Sequence, residues 1–431
     1  MYNILFYGGV FMEKLVIRGG KPLYGEVNIS GMKNSALPVI FGTIATGDIC
    51  TIGNVPDVSD ISLALDTLRS IGAKVRFINT DTVMIDTRDI IRKSPPHEYV
   101  SKMRASTYLL GAMLGRFGES EVGYPGGCDF GTRPINQHLK GFELLGARIS
   151  YTEDGNIRAS ASDGLTGSFI YFDIASVGAT INVMLAAVYA EGTTVIENAA
   201  REPHIVDTAS FLNACGADIS GAGTNMIRIK GVKRLHGCTY DLAPDMIEAG
   251  TYMAACAAAG GRVTVRRIIP KHIEAISTKL EEIGMELETG DDYITVSSDG
   301  TYRGTDIQTN PYPGFPTDMH PQFTAMLCLA KGMSTIKERI WSGRFKYVEE
   351  LIKMGADIDV DNDTAIVNGV ESLRGASVRS SDLRAGASLV IAGLAASGET
   401  TVTGLEFIDR GYEDLVKKLR SLGADVQRVE S

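Results

Sequence analysis

The stretch Leu68-Arg69-Ser70-Ile71-Gly72-Ala73-Lys74-Val75 closes a run of helical apolar spacing. It returns as ELLGARI at 143–149, NACGADI at 213–219, EEIGMEL at 281–287, IKMGADI at 352–358 and RSLGADV at 420–426. Its glycines, Gly72, Gly146, Gly216, Gly284, Gly355 and Gly423, stand about seventy residues apart, the kind of period that marks a repeat architecture. Each copy reads as an amphipathic helix stopped by a C-cap glycine, where the left-handed conformation carries no Cβ penalty, and followed directly by a strand. Upstream of each stands a second helix that is apolar on nearly all sides, at 35–45, 105–114, 178–190, 249–259, 322–330 and 385–396. Helices of that kind lie inside a domain. Each is followed by a short strand, as in CTIGNV at 50–55, TTVIEN at 193–198, RVTVRR at 262–267 and TTVTGL at 400–405. The unit is βαβαββ, present six times, and the fold class is α/β.

The last unit stops after Val426 without the hairpin that follows the signature elsewhere. The missing piece lies at the front: LVIRGGKPLYGEVNIS at 15–30 resembles IRIKGVKRLHGCTYDLA at 227–243 and IVNGVESLRGASVRSS at 366–381, both read as hairpins. The amino-terminal strands are therefore expected to complete unit six. This predicts a continuous domain over 34–242 and a discontinuous one built from 12–33 and 243–431, with two chain crossings and a cleft between them. Residues 1–11 are apolar but too short for a membrane span and lack the basic start of a secretory signal, so they read as an extension.

The totals agree with a soluble enzyme-sized chain of 431 residues, 44% hydrophobic and 22% charged, for which two or three domains are expected. A net charge of -10 excludes a general nucleic-acid binder, which carries a basic face. Six cysteines, far apart and without a C-x-x-C pair, support neither a zinc site nor a disulfide framework, and point to a reducing cytoplasm.

Polar residues recur at the starts of the buried helices: Lys33 and Asn34, Arg104, Ser176, Glu248, Thr317 and Asp318, then Asp382 and Arg384. Capping accounts for Ser176, Thr317 and Asp382. It does not account for Lys33, Arg104 or Arg384, because the helix dipole opposes a cation there, so these three are candidate ligands for an anion. A second recurrent set lies before the amphipathic helices: Asp57, the loop Tyr124-Pro125-Gly126-Gly127-Cys128-Asp129-Phe130-Gly131-Thr132-Arg133-Pro134, Glu202, Pro270, Arg344 and Arg410. The glycine-rich loop carries a thiol and a guanidinium. By itself it reads either as a surface turn with an inert cysteine or as a ligand loop whose Cys128 donates a proton and whose Arg133 grips an anion.

These motifs resemble the UDP-N-acetylglucosamine 1-carboxyvinyltransferase family of the EPSP synthase superfamily, over essentially everything after Met12. The likeness is carried by ISGMKNSALP at 29–38, KMRAS at 102–106, PGGCDFGTRP at 125–134, SVGAT at 176–180, ENAAREP at 197–203, FPTDM at 315–319, SDLRAGASL at 381–389 and IDRGYE at 408–413. The resemblance implies two similar domains, each an inside-out α/β barrel of three βαβαββ repeats. It implies transfer of the enolpyruvyl group of phosphoenolpyruvate to the 3-hydroxyl of UDP-N-acetylglucosamine in peptidoglycan precursor synthesis, with no metal or cofactor. It gives Lys33, Asn34, Arg133 and Arg410 to phosphoenolpyruvate, with Lys33 and Arg410 counted in the catalytic set. Arg104, Arg133, Pro134, Ile135, Asn136, Gln137, Ser176, Val177, Gly178, Asp318 and Ile340 fall to the nucleotide sugar. Asp318 becomes the base for the sugar hydroxyl and Cys128 the general acid, with Glu202, Asp245, Arg344, Asp382 and Arg384 in support.

The sequence departs from the family pattern at Asn136, Ile174, Gly343 and Phe407, none of which removes a catalytic group. Two other readings stand beside this one. One is a shikimate-pathway enolpyruvyl transferase, which lacks the cysteine loop and the SVGAT segment. The other is a silent nucleotide-sugar-binding homologue, against which the retained Lys33, Cys128, Asp318 and Arg410 speak.

Overall fold

The computed structural model describes residues 13–90, 94–124, 126 and 134–430. All six signature glycines take positive φ, from 92° at Gly423 to 110° at Gly284, so each amphipathic helix ends where its sequence sets the stop. The second set of helices runs Lys33–Thr46, Tyr108–Phe117, Val177–Ala187, Met246–Ala259, His320–Leu327 and Leu383–Ala395. Nearly every residue in them is buried. The first three pack on one another and so do the last three.

Two apolar cores result. One gathers residues from Ala36 to Leu242; the other joins Leu15, Ile17, Leu23, Val27, Ile29 and Met32 to residues from Met246 to Val426. Each leucine or isoleucine withdrawn from water contributes roughly 1.5–3 kcal/mol, which is what holds these helices so deep. Among the described residues, no helix is long and apolar enough to cross a membrane.

Each unit contributes a small sheet, with the helices packed against it. In unit three, Phe169–Tyr171 runs parallel to Thr193–Glu197, which pairs antiparallel with Met226–Lys230 and through it with Asp218–Ser220. Five sheets have four strands in this order. Unit two has three among the described residues.

The hairpin reading of the linking strands is corrected by the pairing. Glu13–Arg18 does complete the last sheet, between Glu399–Thr403 and Asp425–Glu430. Leu23–Asn28 instead joins the fourth sheet, parallel to Gly261–Arg266. Thr239–Asp241 likewise leaves the sheet of Met226–Lys230 and runs parallel to Ile49–Gly53 in the first. Thr364–Asn368 and Ser377–Arg379 also belong to two successive sheets. The reason is local: the Leu23 N–H donates to the Gly260 carbonyl (2.9 Å), which sets that strand beside Gly261–Arg266 rather than back on Glu13–Arg18. Units one and four thus exchange first strands, and the chain passes between the cores twice.

The two crossings lie side by side. The Met32 N–H donates to the Ala243 carbonyl (2.8 Å) and the Asp245 N–H to the Ser30 carbonyl (2.9 Å). Gly31 sits at this point because a Cβ there would fall 1.7 Å from the Asn54 carbonyl oxygen.

Candidate active site

The starts of all six buried helices meet on one cavity of about 720 Å³. Lys33 and Asn34 reach it from the first helix, Arg104 from the 3-10 turn Arg104–Thr107, and Ser176, Val177 and Gly178 from the third. Asp245, Asp318, and Asp382 with Arg384 come from the other core. The second set of loops adds Glu202, Ile340, Arg344 and Arg410. Six positive helix ends directed at one space favour an anionic occupant.

The wall is organised around two carboxylates. Asp60, in the first turn of Ser59–Ser70 and only 5% exposed, accepts from Lys33 Nζ (3.1 Å) and Arg410 Nε (2.9 Å). Burial works to raise its pKa, but Lys33 and Arg410 outweigh it and hold the carboxyl below the ordinary range. Asp318 accepts from Arg344 Nη2 (2.8 Å) and Arg384 Nη2 (3.1 Å). Burial again pulls upward, and Arg384 and Arg344 hold it far below the usual carboxylate value. The depression therefore comes from two guanidinium groups. The helix itself begins two residues later, at His320.

Two caps stand as the sequence implies. Ser176 Oγ accepts from the Ala179 N–H, and Asp382 from the N–H groups of Arg384 and Ala385. Asp245 is a third cap, accepting from Ile247 and Glu248. Thr317 is not a cap, because its hydroxyl donates to Glu338 (2.7 Å). Glu338, 2% exposed, also accepts from Thr309 Oγ1 and from the N–H groups of Ile340 and Trp341, and so shapes the segment that brings Ile340 and Trp341 to the cavity. Glu248 turns away: it accepts from Lys418 (2.6 Å) and the Ser30 N–H, and burial pushes its pKa up to about 7.

Of the run at 133–137, only Pro134 lines the described wall. Ile135 is buried in the core, Asn136 opens a helix on the exposed surface, and Gln137 donates to Asp173 Oδ2 (2.9 Å) while accepting from the Asp173 N–H. Cys128 and Arg133 lie outside the described residues. Ile174, 61% exposed, stands on the cavity wall. Gly343 has φ of 69°, the left-handed region that glycine adopts without a Cβ penalty. Phe407 is half-buried and does not line the cavity.

Sequence reasoning missed Asp60, Glu338 and His204. Asp60 looks like any helix-start acid, and only Lys33, 27 residues back, and Arg410, 350 residues on, reveal its role. His204 lines the cavity at 8% exposure, with burial lowering its pKa despite Glu202 and Asp318 nearby.

The chain is similar to several known proteins. The family model for EPSP synthase (3-phosphoshikimate 1-carboxyvinyltransferase) matches residues 17–419. A UDP-N-acetylglucosamine 1-carboxyvinyltransferase of Clostridium botulinum is 52% identical over 419 residues, 97% of this chain and 100% of that one. A UDP-N-acetylglucosamine 1-carboxyvinyltransferase 2 of Clostridium acetobutylicum is 52% identical over 418 residues, covering 97% and 99%. Among solved structures, the enolpyruvyl transferase NikO from Streptomyces tendae superposes with a TM-score of 0.88 at 26% identity, covering 98% of this chain and all of that one. An EPSP synthase from Acinetobacter baumannii gives 0.74 at 22% identity, over 97% and 100%, a likeness of fold.

Proposed function

This chain belongs to the EPSP synthase family, and we propose that it transfers the enolpyruvyl group of phosphoenolpyruvate to the 3-hydroxyl of UDP-N-acetylglucosamine, releasing phosphate, as the first committed step of peptidoglycan precursor synthesis. The observation that carries this reading is one cavity on which Lys33, Arg104, Asp318, Arg344, Arg384 and Arg410 converge, in a chain 52% identical over its length to relatives of that name. The two cores are read as domains at 34–242 and at 12–33 with 243–431, meeting along this cavity. Its six separated cysteines suit a reducing cytoplasm as its place of work.

The chemistry suits the residues. Phosphoenolpyruvate is a trianion near neutral pH, and fixed cations are needed to hold it beside a diphosphate. Lys33, Arg410 and Arg133 are assigned to it, with Asn34 beside them. Arg104, Pro134, the segment from Ser176 to Gly178, and Ile340 take the nucleotide sugar, with Arg133 shared between the two substrates, whereas Ile135, Asn136 and Gln137, which the resemblance also gave to the sugar, do not line the described wall and support the helix beside it. In the addition step a proton goes to the methylene carbon, from Cys128 in this reading, and the sugar oxygen bonds to the central carbon as Asp318 accepts its proton. In the elimination step the carbon–phosphate oxygen bond breaks, phosphate leaves with the bonding pair, and the methyl group returns a proton to the Cys128 sulfur, restoring the double bond. Arg344 and Arg384 keep Asp318 ionised, the form that accepts a proton, while reducing its basicity. An anionic group that draws on either arginine restores basicity, so base strength is coupled to substrate binding. Glu202, Asp245 and Asp382 position the loops and helix starts.

A phosphate-release assay tests the assignment. Phosphoenolpyruvate with UDP-N-acetylglucosamine should release phosphate, and phosphoenolpyruvate with shikimate 3-phosphate should not. Turnover with the shikimate compound alone would overturn it.

A further inference from the structure

Three cysteines that the sequence keeps far apart meet at the other end of the helix that carries Glu202 and His204. Cys215 caps the C-terminus of Pro203–Ala214, Cys50 lies in Ile49–Gly53, and Cys238 immediately precedes Thr239–Asp241, whose parallel pairing to Ile49–Gly53 is extended by a hydrogen bond from the Thr51 N–H to the Cys238 carbonyl (2.9 Å). The Sγ atoms of Cys215 and Cys238 are 3.3 Å apart, and Cys50, whose Sγ lies 3.6 Å from Thr46 Oγ1, is the neighbouring thiol. Thirteen residues of helical rise separate Cys215 from Glu202, about 20 Å, so the cluster stands clear of the cavity.

Buried single cysteines are usually inert small hydrophobes. This group differs in two respects. Cys238 is half-buried, next to a segment in which Lys233, Arg234 and His236 are exposed and Leu235 is buried, so it is the member of the pair open to an oxidant. Cys215 is fully buried directly behind it, where a resolving thiol must be. A metal is the other occupant that three thiols suggest, but among the described residues no His, Cys, Asp or Glu group has the arrangement of a metal site.

We propose that Cys215 and Cys238 are a reversible dithiol–disulfide site, oxidised by hydrogen peroxide and reduced by small thiols. The Cys238 sulfur attacks one peroxide oxygen, the O–O bond breaks, and water leaves, giving a sulfenic acid. The Cys215 sulfur then displaces that hydroxyl as a second water. Two S–H bonds and one O–O bond are exchanged for one S–S bond and two waters. The sulfurs close from 3.3 Å to about 2.05 Å. Two external thiols reverse the step, becoming a disulfide themselves. The bond would tie the end of the Glu202-bearing helix to the strand from which the chain crosses between the cores.

Peptide mass mapping of the full chain after mild hydrogen peroxide treatment, without reductant, tests this. The expected product is a linked pair of peptides carrying Cys215 and Cys238, 2 Da below their sum, at least tenfold over any other linkage and abolished by dithiothreitol. In Cys215→Ser the link should vanish and Cys238 should advance to sulfinic acid. Three outcomes would each overturn the proposal: Cys238 reaching sulfinic acid in the unmodified sequence without a link, Cys50 as the dominant partner, or all three thiols unchanged while Cys128 is oxidised.

Discussion

Asp60 binds Lys33 through one oxygen and Arg410 through the other, so neutralising either cation removes a charge proposed to hold the donor and strips half the pairing from a buried carboxylate. Lys33→Met and Arg410→Met should each lower turnover at least about tenfold, equivalent to ~1.4 kcal/mol. Near-normal steady-state kinetics in either variant, with an unchanged melt, would return that residue to a structural role. Cys128 permits a sharper test, since its proposed part is proton donation. Cys128→Ser should lose most turnover because a hydroxyl is too weak an acid, whereas Cys128→Asp should retain some and resist alkylation by an epoxide phosphonate. Full activity in Cys128→Ser would remove the thiol from the mechanism.

The buried helices are knitted by polar side chains as well as by packing. Asn182, in Val177–Ala187, accepts from the Gly111 N–H and donates to the Thr107 carbonyl, and its amide lies 2.8 Å from His138 Nδ1 in the neighbouring helix Asn136–Leu144. Burial pushes His138 down to about 3, with Arg104 adding to the effect, against an ordinary value of 6.5. A histidine depressed in the folded state gives its full stability above pH 6.5 and loses it as the pH falls toward the folded value, because the unfolded chain takes the proton first. At pH 5 the loss from this ring is about 2 kcal/mol. Glu248, raised to about 7, acts in the opposite sense over part of the window, gaining stability as the pH falls from 7 toward 4.5. Urea melts of His138→Asn should therefore show a shallower fall in stability between pH 7 and pH 5 than the parent. An unchanged slope would mean that the ring is protonated in the folded protein.

At the scale of the molecule, the ends of the chain hold one sheet together. Ile17 lies opposite Val426 in the last sheet, both in the second core at 0% and 1% exposure. Ile17→Ala should cost about 2–5 kcal/mol. Its effect should be non-additive with Val426→Ala by at least ~0.5 kcal/mol, since the two are direct neighbours. Ile85, in the first core, should combine additively with Ile17. Denaturant melts of the three single and two double variants supply both comparisons, and additivity of Ile17 with Val426 would contradict the pairing.

The six repeats, their glycine stops and the buried helices were legible in the sequence, because a C-cap and a 3.6-residue apolar period act within a turn or two of chain. The same regularity drew attention to Lys33, Asn34, Arg104, Ser176, Asp318 and Arg384 at equivalent ends of equivalent helices, and to Arg410 in the equivalent loops. The rest required tertiary contact. The exchange of first strands between units one and four is invisible to local pattern, because an isolated strand has the same alternation whichever sheet accepts it. Asp60, Glu338 and the Cys50, Cys215 and Cys238 cluster acquire their chemistry only from partners far along the chain, and no residue's sequence neighbours state which charge or thiol folding will press against it.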